Sequence, residues 1–267
     1  MPVSQRAVAL IQFFEGCLSH PNWPGKDSGI TIGWGCDIGA APESLADWQN
    51  YLNADDYAAL DAVDGLRGLA AKNALASVQN ILIPQAAADA VFFNCTLPAQ
   101  TAATAEAFPG ANALADDSFG ALVSLVYNRG PKLTGTNRGG MQAIHDDLAA
   151  GQSQWLDIVN QIAAMSTIWI PTSGPPTSSN LPGRRLAEAA LFARGLRDGV
   201  NPSMLPGALL NGDSGSGVTQ VQTALGIDAD SQFGPHTMVA VWNYQESNGL
   251  TATGVADAAT ITQLTSA

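Results

Sequence analysis

Between residues 29 and 35 the chain reads Gly29-Ile30-Thr31-Ile32-Gly33-Trp34-Gly35, in which glycine alternates with β-branched and aromatic residues. Glycine has no side chain to pack in a strand, so this composition suits a short hairpin whose backbone lies close to a ligand. Carboxylates crowd around it. Glu15 ends an apolar run in which Val3, Ala7, Leu10, Ile11 and Phe14 recur at helical spacing, and Gly16 stops that helix. Asp27 and Asp37 flank the glycine segment, and the Thr31 hydroxyl lies within it. Two carboxylates across a cleft are what cleavage of a glycosidic bond requires, one to protonate the leaving oxygen and one to activate water.

These residues resemble the phage-type lysozymes of glycoside hydrolase family 24, whose N-terminal pattern is Glu-Gly at a helix end, then an Asp, then Thr-Ile-Gly-aromatic-Gly. The resemblance implies that Glu15 is the general acid and that Thr31 holds the attacking water. It leaves two candidates for the base. In the commonest form of the pattern the Asp lies nine residues after the Glu and six before the Thr, whereas Asp27 follows Glu15 by twelve and precedes Thr31 by four. A variant resembling the bacteriocin pesticin carries its Asp six residues after the Thr, as Asp37 follows Thr31. Asp37 is favoured, with Asp27 as the alternative. Each residue also has a plainer reading: Asp27 as a turn residue bonding its own backbone, Thr31 as an ordinary strand residue.

Two later segments extend the resemblance. Ala121 to Gly130 is similar to the family's buried central helix with its aromatic-Asn-x-Gly end, which makes Tyr127, Asn128 and Arg129, together with Trp34, the implied substrate-binding residues. Gly183 to Phe192 is similar to the closing helix. That implies that Arg184 or Arg185 pairs with Glu15 or with the residues supporting it, although a nearby cation favours the ionised carboxylate and works against a general acid.

At 267 residues the chain exceeds a usual single domain, so two are expected, at 1–200 and 207–267. Gly and Pro punctuate residues 195–212. Beyond them, residues 201–267 contain Asp213, Asp228, Asp230, Glu246 and Asp257 but no Lys or Arg. Three short amphipathic helices are expected there, starting near Gly217, Thr237 and Thr260, with a tight turn at Asp230 to Gly234. This stretch resembles the peptidoglycan-binding domain type 1, with Ser231 and Tyr244 in place of the usual Gly and Phe. The fold class expected for the whole is mainly α with a small β component: a lysozyme-like domain carrying a β-hairpin, followed by a three-helix cell-wall-binding domain.

The remaining composition sets bounds. Hydrophobic residues make up 46% and charged residues 13%, and no apolar run reaches the roughly 18 residues of a membrane span, so no stable membrane insertion is expected. The N-terminal stretch does not read as a secretory signal, since its short apolar run contains Gln12 and leads straight into Glu15. The expectation is a protein made in the host cytoplasm, released with the help of a holin, and acting on the wall as a monomer. A net charge of −12 fits no nucleic-acid partner and slows approach to an anionic wall. Affinity is then expected from shape and neutral sugar contacts, with salt inhibiting weakly or even activating. Three His and three scattered Cys residues show no metal-ligand spacing, and His145 reads as a surface or packing residue. Neither metal nor cofactor is expected. Cys17 and Cys36 flank the candidate cleft and a disulfide between them is conceivable, but reduced thiols are favoured for a cytosolic product.

The reading that follows is a peptidoglycan hydrolase of endolysin type, cleaving the β-1,4 bond between N-acetylmuramic acid and N-acetylglucosamine. A lytic transglycosylase, which needs Glu15 alone, and a non-enzymatic wall-binding protein are the alternatives.

Overall fold

The computed structural model describes residues 3–40, 43–169, 181–200 and 205–266. The Pro- and Ser-rich segment from Pro171 to Gly183 reads from its sequence as a loop, and most of it lies outside these residues. Contacts divide the chain into two compact units: Glu15–Gln100, here the hairpin unit, and Met1–Phe14 with Thr101–Ala267, here the helical unit.

The last residue of helix α1 (Gln5–Glu15) opens the hairpin unit. Three short antiparallel strands follow, β1 (Leu18–Asn22), β2 (Thr31–Gly33) and β3 (Cys36–Asp37), in the order β1-β2-β3. The hairpin foreseen at Gly29–Gly35 thus gains a third strand. β1 shows no alternation in Leu18-Ser19-His20-Pro21-Asn22, and its Pro21 is tolerated because β1 is an edge strand. Below the sheet Ile30, Ile32 and Ile38 are fully buried with Trp48 and Leu60. Each such side chain contributes about 1.5–3 kcal/mol through burial. Helices α2 (Glu43–Ala46), α3 (Ala54–Asp61), α4 (Gly68–Ala74) and α5 (Gln85–Val91) surround this core. The side chain of Asn53 caps α3 by accepting the Asp56 N–H at 2.9 Å. A wide helical turn at Phe92–Thr96 leads into α6 (Leu97–Ala107).

In the helical unit α7 (Asp116–Arg129) is the central helix, buried continuously from Asp117 to Val126. Gly120 lets α1 lie directly on it, since a Cβ there would stand 2.3 Å from the Cβ of Ala7. Helices α8 (Gly139–Ala150), α9 (Trp155–Ala164) and α10 (Leu181–Gly195) complete this part. Within it Arg184 and Arg185 both reach Glu188, at 3.1 Å, and all three are essentially inaccessible to solvent. Ser124 adds a hydroxyl bond to the Glu188 carboxylate at 2.7 Å. One carboxylate is therefore shared by two buried guanidinium groups, and its removal is expected to cost about 3–5 kcal/mol.

Residues 205–266 form a module of α11 (Ser216–Ala224), α12 (Pro235–Ser247) and α13 (Ala258–Ser266), as the periodicity predicts. Two buried glutamines brace its loops in the same way. Gln222 donates to the carbonyl of Gln232 and the Thr237 hydroxyl, both at 3.0 Å, and accepts the Ser231 N–H at 3.0 Å. Gln245 donates to the carbonyl of Val255 at 2.8 Å and the Thr260 hydroxyl at 2.9 Å, and accepts the N–H groups of Thr253 and Gly254. The threonine lies 15 residues after the glutamine in both cases, so the module is built as an internal repeat.

The expected domain boundary, near 200–207, falls inside the helical unit, and residues on either side of it are bonded to one another. Arg194 donates to the carbonyl of Asn211 at 2.7 Å and to Asp213 at 3.1 Å. Arg197 binds Asp213, Asp198 and the carbonyl of Ala208. Burial alone would raise the Asp213 pKa, but the bonds from Arg197 and the Leu210 N–H, with the charges of Arg197 and Arg194, hold it below the usual carboxylate range.

Candidate active site

Glu15 stands half-buried at the end of α1, where Gly16, at φ +65°, turns the chain out of the helix. The turn joining β2 to β3 comes up against it. A Cβ on Gly35, which has φ +77°, would lie 2.9 Å from Oε2 of Glu15, so only glycine allows the turn this close to the carboxylate.

The two strands joined by that turn carry the other candidates. Thr31 and Asp37 are direct partners in the β2–β3 ladder, and Asn22 of β1 is the partner of Thr31 on its other side. Cross-strand partners share a face and stand about 4.5–5.5 Å apart at Cβ, so Asn22, Thr31 and Asp37 form one row across the sheet. Ile32, on the opposite face, is fully buried. The Asp37 carboxylate also holds the hairpin base, accepting the N–H of Gly39 at 2.9 Å and of Gly29 at 3.2 Å. Gly29 has no alternative there, since a Cβ would meet Oδ1 of Asp37 at 2.3 Å. Two N–H donors use one lone pair on each oxygen and leave the other available. Asn22 was not foreseen, because nothing in the sequence marks β1 as a strand.

Asp27 is placed differently. It sits exposed in the loop before β2, where its carbonyl accepts from Nε of Arg67 at 3.0 Å. Trp34, at the tip of the β2–β3 turn, is half-buried; its indole N–H donates to Asp89 at 2.8 Å and its ring lies 6.1 Å from that of Phe92. Cys17, Cys36 and Cys95 form no disulfide. Cys17 precedes β1 and Cys36 lies in β3, with β2 between them. Burial pushes the Cys17 and Cys95 thiols above their ordinary pKa, which disfavours the reactive thiolate.

The other implied residues belong to the helical unit. Tyr127, Asn128 and Arg129 form the last turn of α7, and Asn128 accepts from Arg185 at 3.2 Å. Arg129 donates to the carbonyl of Asn137, while burial and the charge of Arg138 lower its pKa against the opposing pull of Glu188. The acid seen paired with Arg184 and Arg185 is Glu188, which the sequence reading did not single out. Its spacing of four and three residues from the two arginines is the signal that was available.

No curated protein matches the chain. The family of the peptidoglycan binding domain matches residues 214–264, which span α11 to α13 and both glutamine braces. No described helix is long and apolar enough to cross a membrane. The C-terminal module is accordingly a peptidoglycan-binding module, and the chain is one that interacts with the bacterial cell wall.

Proposed function

We propose that the chain hydrolyses the wall it binds, cleaving the β-1,4 bond between N-acetylmuramic acid and N-acetylglucosamine. The observation that carries this reading is the pairing of Thr31 with Asp37 across β2 and β3, with Glu15 against the turn between them. In this mechanism Glu15 protonates the leaving oxygen, and Asp37 with Thr31 presents a water to the anomeric carbon from the opposite face. A carboxyl separation of about 6.5–9.5 Å would leave room for that water and give inversion. The ladder position of Asp37 supports it over Asp27 as the base. Tyr127, Asn128 and Arg129 would bind the glycan, and the chain would act as an endolysin released by a holin.

Digestion of purified sacculi followed by mass spectrometry tests this directly. Fragments with reducing ends are expected; 1,6-anhydro ends would indicate a lytic transglycosylase, and an absence of fragments a binding protein. Glu15→Gln should abolish turnover with the fold intact, because an amide cannot deliver the proton.

A further inference from the structure

Residues 15–100 contain ten Asp and Glu residues but three Lys and Arg, Lys26, Arg67 and Lys72. All three converge on one loop. Nζ of Lys72 lies 5.4 Å over the ring of Trp23, whose indole N–H donates to the carbonyl of Ser28 at 3.1 Å. From the other side Arg67 donates to the carbonyl of Asp27, and the N–H of Gly68 donates to the carbonyl of Ser28 at 2.9 Å. Lys26 sits between them in the same loop, at φ +52°. A left-handed backbone at a residue other than Gly or Asn costs about 1 kcal/mol, and such cost gathers where a side chain is aimed at a function.

The three cations are exposed, and among the described residues no carboxylate forms an ion pair with any of them. The cation–π contact does not neutralise Lys72, and at a site this open it contributes only about 0.5–1 kcal/mol. In a chain of net charge −12 three cations around a half-buried indole, with Asp27 as the acid of their loop, leave a local excess of positive charge. Such a patch lies within about one Debye length, 8–10 Å, of anything seated on it, so it acts on its own rather than through the net charge.

We infer that Trp23, Lys26, Arg67 and Lys72 form an oxyanion-binding platform for the wall polymer, holding a carboxylate or phosphate carried on a saccharide. The indole supplies an apolar surface beside the anion, and the cations supply the charge. The platform adjoins the candidate site, since the loop leads into Gly29, whose N–H is held by Asp37. It rests on the chain's interaction with the wall and does not depend on the proposed hydrolysis. Two sources offer the oxyanion: the free carboxylates of the peptide stem, and the phosphates of polymers attached to the wall.

The test is a titration of the full chain, labelled with ¹⁵N, using muramyl dipeptide as the carboxylate probe and glycerol phosphate as the phosphate probe. N-acetylglucosamine serves as the neutral control. The indole N–H of Trp23 and the amide of Gly68 are expected to shift in a saturable way with at least one anion and not with the control. Binding should weaken as salt is added, should fall at least five-fold in Lys72→Gln, and should return in Lys72→Arg. A response to one probe alone names the source, and a response to both establishes the shared chemistry. The inference is overturned if neither resonance moves, or if the shifts persist unchanged in the Lys26→Gln/Lys72→Gln double variant. It is equally overturned if muramyl dipeptide moves only the amides of Thr31 and Asp37, an outcome that would leave the candidate cleft standing without the platform.

Discussion

The hairpin base and the wall-binding module solve the same problem with different side chains. Each has a loop whose backbone N–H groups find no partner in a helix or sheet, and each gives those groups to one side chain of the neighbouring element. In the module the side chain is a neutral amide, Gln222 or Gln245, buried to about 1% exposure and bonded at both its nitrogen and its oxygen. In the hairpin it is a carboxylate, Asp37, only half-buried and standing beside Thr31. A neutral brace can be sealed into a core without a charge to solvate. A charged brace keeps lone pairs and a negative charge at the surface, where water can reach them. The difference teaches that the module invests in shape, and that the hairpin base needs two acceptor oxygens and keeps them in an open position.

The strongest way to break this comparison is Asp37→Asn. The amide keeps one acceptor oxygen but turns an NH₂ toward the second backbone N–H, so a stability loss of about 1–3 kcal/mol is expected. Turnover on sacculi, measured well below the melting temperature, should fall about 10²- to 10⁴-fold. A variant that loses stability but keeps its rate would make Asp37 a brace and nothing more. Gln245→Ala should invert that pattern. It leaves the N–H groups of Thr253 and Gly254 without their partner, at a cost of about 2–4 kcal/mol. Urea denaturation should show that loss together with weaker binding to insoluble walls, while cleavage of soluble glycan fragments stays unchanged.

A smaller effect is expected on acidification. The folded pKa of Asp213 lies below its unfolded value, so its contribution to stability is complete above the unfolded carboxylate range, near pH 4, and is lost as the pH falls through the folded value. Melting curves below about pH 4 should therefore fall more steeply for the native chain than for Asp213→Asn; equal slopes would remove the ion pairs with Arg194 and Arg197 from the account. The smallest effect belongs to Asp27→Asn, for which unchanged melting and near-native turnover are expected. A dead Asp27→Asn enzyme with an active Asp37→Asn one would reverse the choice of base.

Much of this was legible in the sequence, and the reasons differ by region. The three helices of the module follow from periodicity, because each buries one face against a regular neighbour, whereas α7, buried on every side from Asp117 to Val126, was legible through the resemblance alone. The glycine alternation at Gly29–Gly35 foretold the β2–β3 hairpin, but not that its turn lies against the Glu15 carboxylate at Gly35. β1 was hidden because an edge strand carrying Pro21 and polar residues has no pattern of its own and is defined by pairing with β2. The bonds of Arg184 and Arg185 to Glu188 were not foreseen, although the local spacing pointed to a partner within the same helix. The paired glutamines were invisible to a reading of helices one at a time, since their repeat spans a helix, a loop and the start of the next helix.

The bonds from Arg194 and Arg197 to residues 208, 211 and 213 have a consequence for how the chain engages the wall. A module on a coiled tether sweeps a volume, and a bound anchor then leaves its cargo free to search within the tether's length. A module clasped to the last turns of α10 has one bearing and almost no radius. It engages only those glycan strands that present themselves along that bearing, and α10 cannot pivot while the anchor holds. A chain that cleaves as proposed would then advance along the wall by release and recapture, its step set by the residence time of the module rather than by the length of any linker.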